Sequence, residues 1–356
     1  MNESLVSIAI PTLERLDYLK EAVASARAQT HRRVEILIGD DGRDEPLRDW
    51  CLREAGTGAR VRYLRNERRL GLAGNWNALA DAARGEYLVI IGDDDRLLPE
   101  FVSTLMRAAT PRTSVVFANH YLIDESGRRL EAESVECTRA YGRDALAEGC
   151  VSDAAAVVWR NSVPICASLI RTEDARRLRF KEDLNTPEIE FFIRLANEGG
   201  GFTFIPEYLS EYRTHPKSAT AAGLLSERLA PYLIQLPAPS GAEKYKRRFM
   251  APLLADAVGR SLQCGDRETA RGLLRSRYYP WPRLINSGAA SRPGGDNNGG
   301  ESLDGGPSME SRDGGSRGML TDLLRGGVQG VCAWLPSSIG CSAYRALRRL
   351  KAGLTS

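Results

Sequence analysis

Three consecutive aspartates, Asp93, Asp94 and Asp95, directly follow an apolar run at 87–91. Adjacent carboxylates repel one another, so their clustering costs free energy unless a cation lies nearby. Carboxylate oxygens suit Mg²⁺ or Mn²⁺, which proteins often bind through one or two carboxylates together with substrate phosphates. Acidic residues are also favourable at the start of a helix, and residues 97–100 could begin one. The triplet therefore predicts either a divalent-metal site or a charged helix start.

Two further acidic segments could contribute to a site. Asp41, in the sequence Asp-Asp-Gly after a second apolar run, could accept hydrogen bonds from a base or ribose. The alternative is an Asx turn in which Gly42 supplies a positive φ. Glu188 and Glu190 precede an apolar helical pattern. A carboxylate there could act as a general base, or it could only complement the helix dipole.

His215 is one of only three histidines in the chain. It is flanked by Arg213, Lys217 and Ser218, so it could contact a diphosphate or complete a metal site. An isolated histidine on the surface is the alternative interpretation.

Short apolar strands and amphipathic helices alternate along the first third of the chain. The pattern predicts strands at 5–10, 34–38, 61–64, 87–91, 115–117 and 121–123, and helices at 17–29, 46–54 and 76–83. This alternation is typical of an α/β fold with a mostly parallel sheet flanked by helices. The acidic clusters follow the second and fourth strands, and ligands of open α/β sheets bind at the carboxyl ends of strands.

The composition is that of an ordinary globular protein, with 356 residues, 42% hydrophobic and 27% charged. A net charge of +3 is too small to predict nucleic-acid binding. The seven cysteines form no C-x-x-C motif, which favours a reduced cytoplasmic chain over a disulfide scaffold or a zinc site. The first residues lack a signal-peptide pattern, and no apolar run is long enough to predict a transmembrane helix.

The domain organisation follows from changes in composition. We expect a catalytic domain at 1–225 in two halves, 1–110 and 111–225, a helical extension at 226–286, a disordered linker at 287–318 and an apolar, basic tail at 319–356. The linker is dominated by Gly, Ser, Asp and Arg and has almost no residue able to form a core. The tail has apolar residues near helical spacing, followed by Arg345, Arg348, Arg349 and Lys351. It could be an interfacial membrane anchor, a helix packed on the catalytic domain, or a disordered segment.

Taken in order, these segments resemble the family 2 glycosyltransferases, which have the nucleotide-diphospho-sugar transferase fold called GT-A. The resemblance is strongest over 5–110 and weaker over 111–220. It rests on Val6 to Thr12, Tyr18-Leu19, Ser25, Gln29-Thr30, Val34 to Gly42, Asn75 to Asn77, Gly85 to Tyr87, Asp93 to Asp95, Pro99, the acidic pair Glu188 and Glu190, and the Tyr-Arg-x-His-x-x-Ser segment from Tyr212 to Ser218.

The resemblance implies roles for individual residues. The nucleotide-sugar pocket would be lined by Pro11, Thr12, Glu14, Arg15, Asp41, Asn77 and Asp93, with Asp41 contacting the base. Asp94 would be the main ligand of Mn²⁺ or Mg²⁺, with Asp95 and His215 beside it. Glu188 would be the catalytic base of an inverting transfer. The partners would be a nucleotide-sugar donor and a glycan or lipid-linked acceptor, in surface polysaccharide or glycoconjugate synthesis, in the cytoplasm or at the inner face of the membrane.

Three positions depart from the family pattern. Gly92 stands where the usual Asp-x-Asp begins, Glu14 where Asn is usual, and Glu188 where Asp is more frequent. The first two favour an alternative, a non-catalytic nucleotide-sugar binding protein with the same fold. A dehydrogenase would need G-x-G-x-x-G after the first strand, where Pro11 to Glu14 stand, and the P-loop motif of kinases is absent.

Overall fold

The computed structural model describes residues 4–58, 60–215 and 223–281. Its strands are β1 (Val6–Thr12), β2 (Val34–Asp40), β3 (Val61–Arg65), β4 (Tyr87–Ile90), β5 (Arg96–Leu97), β6 (Thr113–Ile123), β7 (Gly149–Cys150), β8 (Ser168–Arg171) and β9 (Gly201–Arg213). Its helices are α1 (Leu16–Arg27), α2 (Glu45–Gly56), α3 (Gly71–Ala82), α4 (Phe101–Ala108), α5 (Glu131–Ala140), α6 (Ala154–Trp159), α7 (Thr172–Leu178), α8 (Pro187–Asn197), α9 (Ser226–Gln235), α10 (Glu243–Gln263) and α11 (Arg267–Leu274), with a 3₁₀ turn at Ile165–Ala167.

All nine strands form one sheet, in the order β3-β2-β1-β4-β8-β6-β9-β5, with β7 paired to β9. The first four strands are parallel, as their alternation with helices predicts. Strand β6 is parallel to β9, whereas β8 is antiparallel to both of its neighbours, and β5 and β7 are antiparallel to β9. The predicted α/β class with a helix-flanked sheet is confirmed, and the sheet is mixed beyond its first four strands.

Two elements differ from the sequence-based expectation. The segments predicted as separate strands at 115–117 and 121–123 are one strand, β6, whose pairing with β9 shifts register between Ala118 and His120. Helix α3 begins at Gly71, five residues before the predicted start at Trp76. Its first turn is fixed from outside the helix, because the backbone N–H groups of Leu70 and Gly71 donate to the Asp41 carboxylate.

Alternate residues of the central strands enter two hydrophobic cores, one on each face of the sheet. In β1, Ala9 lies in one core, whereas Ile8 and Ile10 lie in the other. Because both faces are covered, the strands are almost continuously apolar. Packing on both faces fixes the positions of the strand ends, and the acidic segments lie directly after these ends.

The helices at the end of the described chain share a core with the sheet. Leu229 of α9 and Leu254 of α10 belong to the same buried cluster as Phe191 of α8 and Phe202 of β9. Helices α9, α10 and α11 lie within the extension predicted at 226–286, and their buried residues share the core of the sheet. The boundaries of this extension stay a prediction. The predicted linker at 287–318 and tail at 319–356 lie outside the described residues.

Lys246 of α10 caps the carboxyl end of α9 from inside the protein. Only 2% of this residue is exposed. Its Nζ donates to the carbonyl oxygens of Ile234, at 3.1 Å, and Leu236. The ammonium also lies over the rings of Trp159 and Tyr278. Burial lowers the pKa of Lys246 to about 8. A cation is favourable here because the last carbonyls of a helix carry partial negative charge.

Replacing this ammonium is expected to reduce stability. Lys246→Met keeps most of the apolar volume but leaves two buried carbonyls without their donor, which should lower the free energy of unfolding by about 2 kcal/mol. Urea denaturation monitored by circular dichroism measures the change. Lys244→Met, at an exposed position of the same helix, is the control and should match the wild type. Equal midpoints for both variants would show that Lys246 does not stabilise the packing of α9 on α10.

In the described ranges, no helix combines the length and apolar character needed to span a membrane.

Candidate functional site

The carboxyl ends of β1, β2 and β4 meet at one edge of the sheet, because these strands are parallel neighbours. Thr12 ends β1, and the aspartate triplet begins three residues after Ile90, the last residue of β4. Thr12 Oγ1 donates to Asp93 Oδ2 at 2.7 Å, which joins the two strand ends directly. Residues 81 positions apart in the chain thus form one rim.

Arg15 is the cation that lies among these carboxylates. Its guanidinium donates to Asp94 Oδ2 at 2.7 Å and forms an ion pair with Asp93 Oδ1. Burial raises the pKa of Asp93 to about 6, although the charge of Arg15 acts in the opposite direction. Although burial alone would raise the pKa of Asp94, the hydrogen bond from His215 and the charge of Arg15 hold it below its usual value. Asp94 is therefore the member of the triplet whose ionised form is most strongly favoured.

His215 lies against Asp94. Its Nε2 is 2.8 Å from Asp94 Oδ2, and its imidazole packs on the ring of Tyr18 with 5.6 Å between ring centroids. Both groups are largely buried. The structure therefore brings together a carboxylate and an imidazole that lie 121 residues apart in the chain.

Asp95 turns toward the backbone and away from this pair. Its Oδ1 accepts from the N–H of Arg213 at 3.0 Å, and its Oδ2 accepts from the N–H of Gly92 at 3.2 Å. Burial, followed by the charge of Asp94, raises the pKa of Asp95 to about 8. Its carboxyl group fastens the loop to β9, and this differs from the metal-ligand role that the sequence predicts for it.

Arg213 is a positioning residue that the sequence-based assignment missed. Its buried guanidinium donates to the backbone oxygen of Asp94 at 2.8 Å and to Glu21 Oε2 at 2.6 Å. The Tyr-Arg-x-His segment contains it, but its role depends on a partner on α1 that no local pattern indicates. The Arg213 side chain thus connects β9 to the loop that carries the aspartates.

Gly92 allows two carboxylates of this loop to pack closely against the backbone. A Cβ added at this position would lie 2.5 Å from Asp94 Oδ1 and 3.1 Å from Asp95 Oδ2. An aspartate could therefore enter there only if the side chains of Asp94 and Asp95 shifted.

Glu14 adopts a left-handed backbone conformation, with φ of 56°. Asparagine is one of the few residues other than glycine that occupies this region readily. A left-handed backbone conformation at this position explains why Asn would be favoured there. Glu14 adopts the same conformation at some cost in free energy. Its side chain is exposed.

Asp41 binds the loop that precedes α3. Its carboxylate accepts from the N–H groups of Leu70 and Gly71, at 2.7 and 2.8 Å, and from Asn66 Nδ2 at 3.0 Å. The Asx turn is also present, formed by Asp40, whose Oδ1 accepts from the N–H of Gly42 at 2.8 Å. The positive φ expected at Gly42 occurs instead at Gly71, with φ of 76°. Contact of Asp41 with a base stays a prediction.

Asn77 is buried and is not among the residues that line the cleft described below. Its Nδ2 donates to the backbone oxygen of Phe180 at 2.9 Å, and its Oδ1 accepts from the N–H of Phe180 at 2.8 Å. The side chain joins α3 to the segment after α7. The nucleotide contact of Asn77 stays a prediction.

A cleft with a cavity volume of about 170 Å³ opens at the acidic rim. Its lining includes Pro11, Arg15, Asp94, Trp76, Glu188, His120 and Arg143. The cleft therefore connects the Asp94–His215 pair to side chains from the second half of the chain.

Glu188 lies at the start of α8, after Pro187. Its side chain lines the cleft, and burial raises its pKa to about 7. A carboxyl group with a pKa near neutrality can accept a proton efficiently under physiological conditions. The neighbouring Glu190 is buried and paired to Arg194 at 2.6 Å. The structure thus separates the two predicted carboxylates, one in the cleft and one inside the helix packing.

Within the described ranges, no cluster of three or more His, Cys, Asp or Glu side chains is arranged to hold a metal ion. Asp94 and His215 nevertheless provide two donors that face each other at 2.8 Å. Mg²⁺ and similar ions typically take one or two protein carboxylates and complete their coordination with substrate phosphates and water. The donor set fits a cation that arrives with a phosphorylated substrate.

Comparison with known proteins gives relatives for the first half of the chain. Residues 7–162 match the family described as Glycosyl transferase family 2. The chain is 31% identical over 137 residues to a GalNAc(5)-diNAcBac-PP-undecaprenol beta-1,3-glucosyltransferase of Campylobacter jejuni, which covers 36% of this chain and 44% of that protein. It is 32% identical over 123 residues to the glycosyltransferase GlyG of Streptococcus pneumoniae, which covers 34% and 41%. The chain thus spans less than half the length of these two relatives.

Solved structures share the fold at low sequence identity. Residues 1–349 of S. aureus TarS in complex with UDP-GlcNAc superpose with a TM-score of 0.55 at 13% identity, covering 76% of this chain and 79% of that one. The mannosyltransferase PcManGT of Pyrobaculum calidifontis, in complex with GDP-Man and Mn²⁺, gives 0.52 at 16% identity, covering 77% and 79%. These similarities extend beyond the matched family segment and establish a common architecture.

Proposed function

We propose that this chain, whose residues 7–162 match Glycosyl transferase family 2 and which has the GT-A fold, transfers a sugar from a nucleotide-diphosphate sugar to an acceptor hydroxyl with inversion of the anomeric carbon. One observation carries the proposal. A single cleft is lined by Asp94, which is bonded to His215, and by Glu188, whose pKa is raised to about 7. A pair suited to bind a leaving diphosphate and a carboxyl group suited to accept a proton therefore line the same cleft.

The rim with Asp94 and His215 is the proposed donor end. A divalent cation, when bound, would neutralise the negative charge that develops on the departing diphosphate. Asp94 and His215 would hold it, and Arg15 adds a positive charge beside the same phosphates. In support, PcManGT, which shares the fold, was solved with GDP-Man and Mn²⁺. Thr12 and Pro11 would contact the nucleotide from the end of β1.

Glu188 is the proposed general base at the acceptor end. The acceptor oxygen forms a bond to the anomeric carbon while the bond from that carbon to the diphosphate oxygen breaks. The hydroxyl proton passes to the Glu188 carboxylate as the attack proceeds. Because attack and departure occur on opposite faces in one displacement, the anomeric configuration inverts.

The acceptor is proposed to be a glycan or a lipid-linked glycan in surface polysaccharide or glycoconjugate synthesis. The C. jejuni relative is described as acting on an undecaprenol-linked glycan, and this supports the proposal for the segment that the two proteins share. A lipid-linked acceptor would also suit a cytoplasmic enzyme that contacts the inner face of the membrane through its tail.

The second candidate is a nucleotide-sugar binding protein without catalysis. The tight loop at Gly92 and the left-handed Glu14 are the observations that favour it, because they alter the donor end of the cleft. The presence of Glu188 in the same cleft argues against it.

A thermal-shift screen of UDP-, GDP-, and dTDP-sugars, each with and without Mn²⁺, tests both candidates. Because a ligand at 100 times its Kd stabilises the native state by about 2.7 kcal/mol, one nucleotide series should raise the melting temperature by several degrees, and more so with Mn²⁺. Chromatographic detection of the released nucleotide diphosphate should then show turnover with that donor. Binding without turnover on any glycan or lipid-linked acceptor would favour the non-catalytic candidate. No shift with any nucleotide sugar would contradict both.

A further inference from the structure

Arg143 and His120 line the cleft, and the proposed transfer uses neither of them. Arg143 follows α5, and His120 belongs to β6. They are 2% and 5% exposed. An arginine and a histidine buried to this degree require a physical explanation, because taking a charged group out of water costs free energy unless it is compensated.

The partners of Arg143 are all neutral. Its Nε donates to Asn119 Oδ1 at 2.9 Å, and its Nη1 and Nη2 make longer contacts of 3.5 Å to the Ser162 carbonyl and 3.6 Å to Cys137 Sγ. Across the described ranges, no carboxylate lies within 4.0 Å of this guanidinium, although many other arginines of the chain have one. A guanidinium has more N–H groups than these contacts use. Among the described residues, Arg143 is therefore a buried positive charge with no carboxylate within salt-bridge distance.

His120 lines the cleft together with Arg143. Its Nε2 lies 3.6 Å from Cys137 Sγ, and its Nδ1 has no hydrogen-bond partner in the described part of the chain. Burial, together with the charge of Arg143, holds the pKa of His120 well below its usual value, so the ring is neutral. It does not supply a second charge, but it can supply a hydrogen bond.

The fold holds this pair in place by an irregularity in the sheet. The register of β6 against β9 shifts at Asn119 and at His120. Bulges of this kind re-aim side chains and are frequent next to active sites. Asn119 bridges the irregularity, because its Nδ2 donates to the Pro206 carbonyl at 2.9 Å while its Oδ1 receives Arg143. Arg143 therefore makes its shortest hydrogen bond through Nε, whereas the contacts of Nη1 and Nη2 are longer.

We propose that Arg143, assisted by His120, binds an anionic group, a carboxylate or a phosphate, carried by one of the two sugar substrates in the cleft. This inference rests on the proposed transferase function and specifies its substrate class. The guanidinium fork matches the oxygens of either anion. The anionic sugar comes from one of two sources, a uronic acid on the donor nucleotide or an acidic sugar on the acceptor.

Isothermal titration of the wild type, Arg143→Met and Arg139→Met tests the proposal. Arg139 is an exposed arginine of α5 paired to Glu136 and serves as the matched control. UDP and GDP alone are titrated first. The donor arm then compares UDP-glucuronic acid with UDP-glucose, or GDP-mannuronic acid with GDP-mannose. The acceptor arm compares methyl glucuronide and glucose 6-phosphate with methyl glucoside, with and without the nucleotide diphosphate.

The wild type and Arg139→Met should bind the anionic member at least tenfold more tightly than the neutral one in one arm. Arg143→Met should lose this preference while its affinity for UDP or GDP stays within twofold. Absence of any charge preference in the wild type would overturn the inference, and so would a preference that Arg143→Met retains. A large loss of UDP or GDP affinity in Arg143→Met would instead assign Arg143 to the diphosphate.

Failure of the proposed function would look different, because either none of UDP, GDP and dTDP would bind the wild type, or a bound nucleotide sugar would not be turned over on any acceptor. If Arg143→Met does not fold, the proposal is tested by the preference of the wild type for the anionic ligand and by the same titrations of Arg143→Lys. The lysine variant keeps the charge but not the fork, so it should retain part of the preference.

Discussion

Glu188→Gln is expected to reduce sugar transfer by about 10³-fold while leaving nucleotide-sugar binding intact, because a positioned general base typically contributes 10²–10⁴-fold. The amide keeps the size of the side chain but cannot accept the proton of the acceptor hydroxyl. Steady-state kinetics should show the loss in kcat, and titration calorimetry should show an unchanged donor Kd. Glu173→Gln, in the first turn of α7 and exposed, is the matched control. Transfer within threefold of the wild type in Glu188→Gln would mean that the base lies elsewhere.

The pH dependence of the wild type should report the same group. The base acts in its ionised form, and burial raises the pKa of Glu188 to about 7. We therefore expect kcat/KM to fall as the pH drops below about 7 and to level off above it. A profile that stays flat from pH 5.5 to 8 would contradict this assignment.

As the pH rises, the Glu188 carboxyl group should lower the stability of the fold while it raises the activity. The pKa of Glu188 is about 7 in the folded protein, against an ordinary value of 4.5. Between these values the folded state holds the proton more tightly than the unfolded state, so this group destabilises the protein increasingly as the pH rises. Glu188→Gln removes the effect. It should melt at a higher temperature than the wild type at pH 8 and at nearly the same temperature at pH 4.5. An inactive variant that is also more stable cannot owe its inactivity to misfolding.

Asp94→Asn is the second large change. Asp94 Oδ2 is the atom that both Arg15 and His215 contact. An amide cannot replace the ionised oxygen in a cation site, so transfer should fall by about 10²–10³-fold, as when one group that stabilises developing charge is removed. The Mn²⁺-dependent part of the thermal shift with the nucleotide sugar should disappear.

Asp17→Asn is the control for Asp94→Asn, because Asp17 is an exposed aspartate in the first turn of α1. It should keep both transfer and the Mn²⁺ effect. If Asp94→Asn retains the full Mn²⁺ effect, the cation binds through other groups, and the role proposed for the Asp94–His215 pair is wrong.

Local patterns were enough to predict the first four strands and the helices α1 and α2, because β1, β2 and β4 are apolar runs buried on both faces. Strands β5, β7, β8 and β9 and most of the later helices were not predicted. The prediction failed where distant contacts determine the structure. Helix α3 begins early because Asp41, 30 residues away, accepts from its first backbone N–H groups. Strand β6 was divided because Asn119 and His120 interrupt its apolar pattern. Their burial depends on Pro206 and Cys137, which adjacent sequence does not reveal.

The same distinction applies to the site. Asp94, Glu188 and His215 were found because they stand in short motifs that resemble a family. Arg213 and Arg143 were missed because an isolated arginine in a sequence gives no sign that it will be buried. Asn77 stood in such a motif, but its amide pairs with the backbone of Phe180, 103 residues away. Motifs therefore indicated the groups that we propose to react, and only the fold identified the residues that support them.

The core that α9 and α10 share with the sheet limits how this protein can be recombined with its relatives. The buried face of α8 and β9, with Phe191 and Phe202, is completed by Leu229 and Leu254. A crossover between the end of β9 and the start of α9 would join surfaces that did not evolve together and would leave cavities on both sides of the junction. Chimeras that exchange acceptor specificity should therefore carry α8 through α10 as one block.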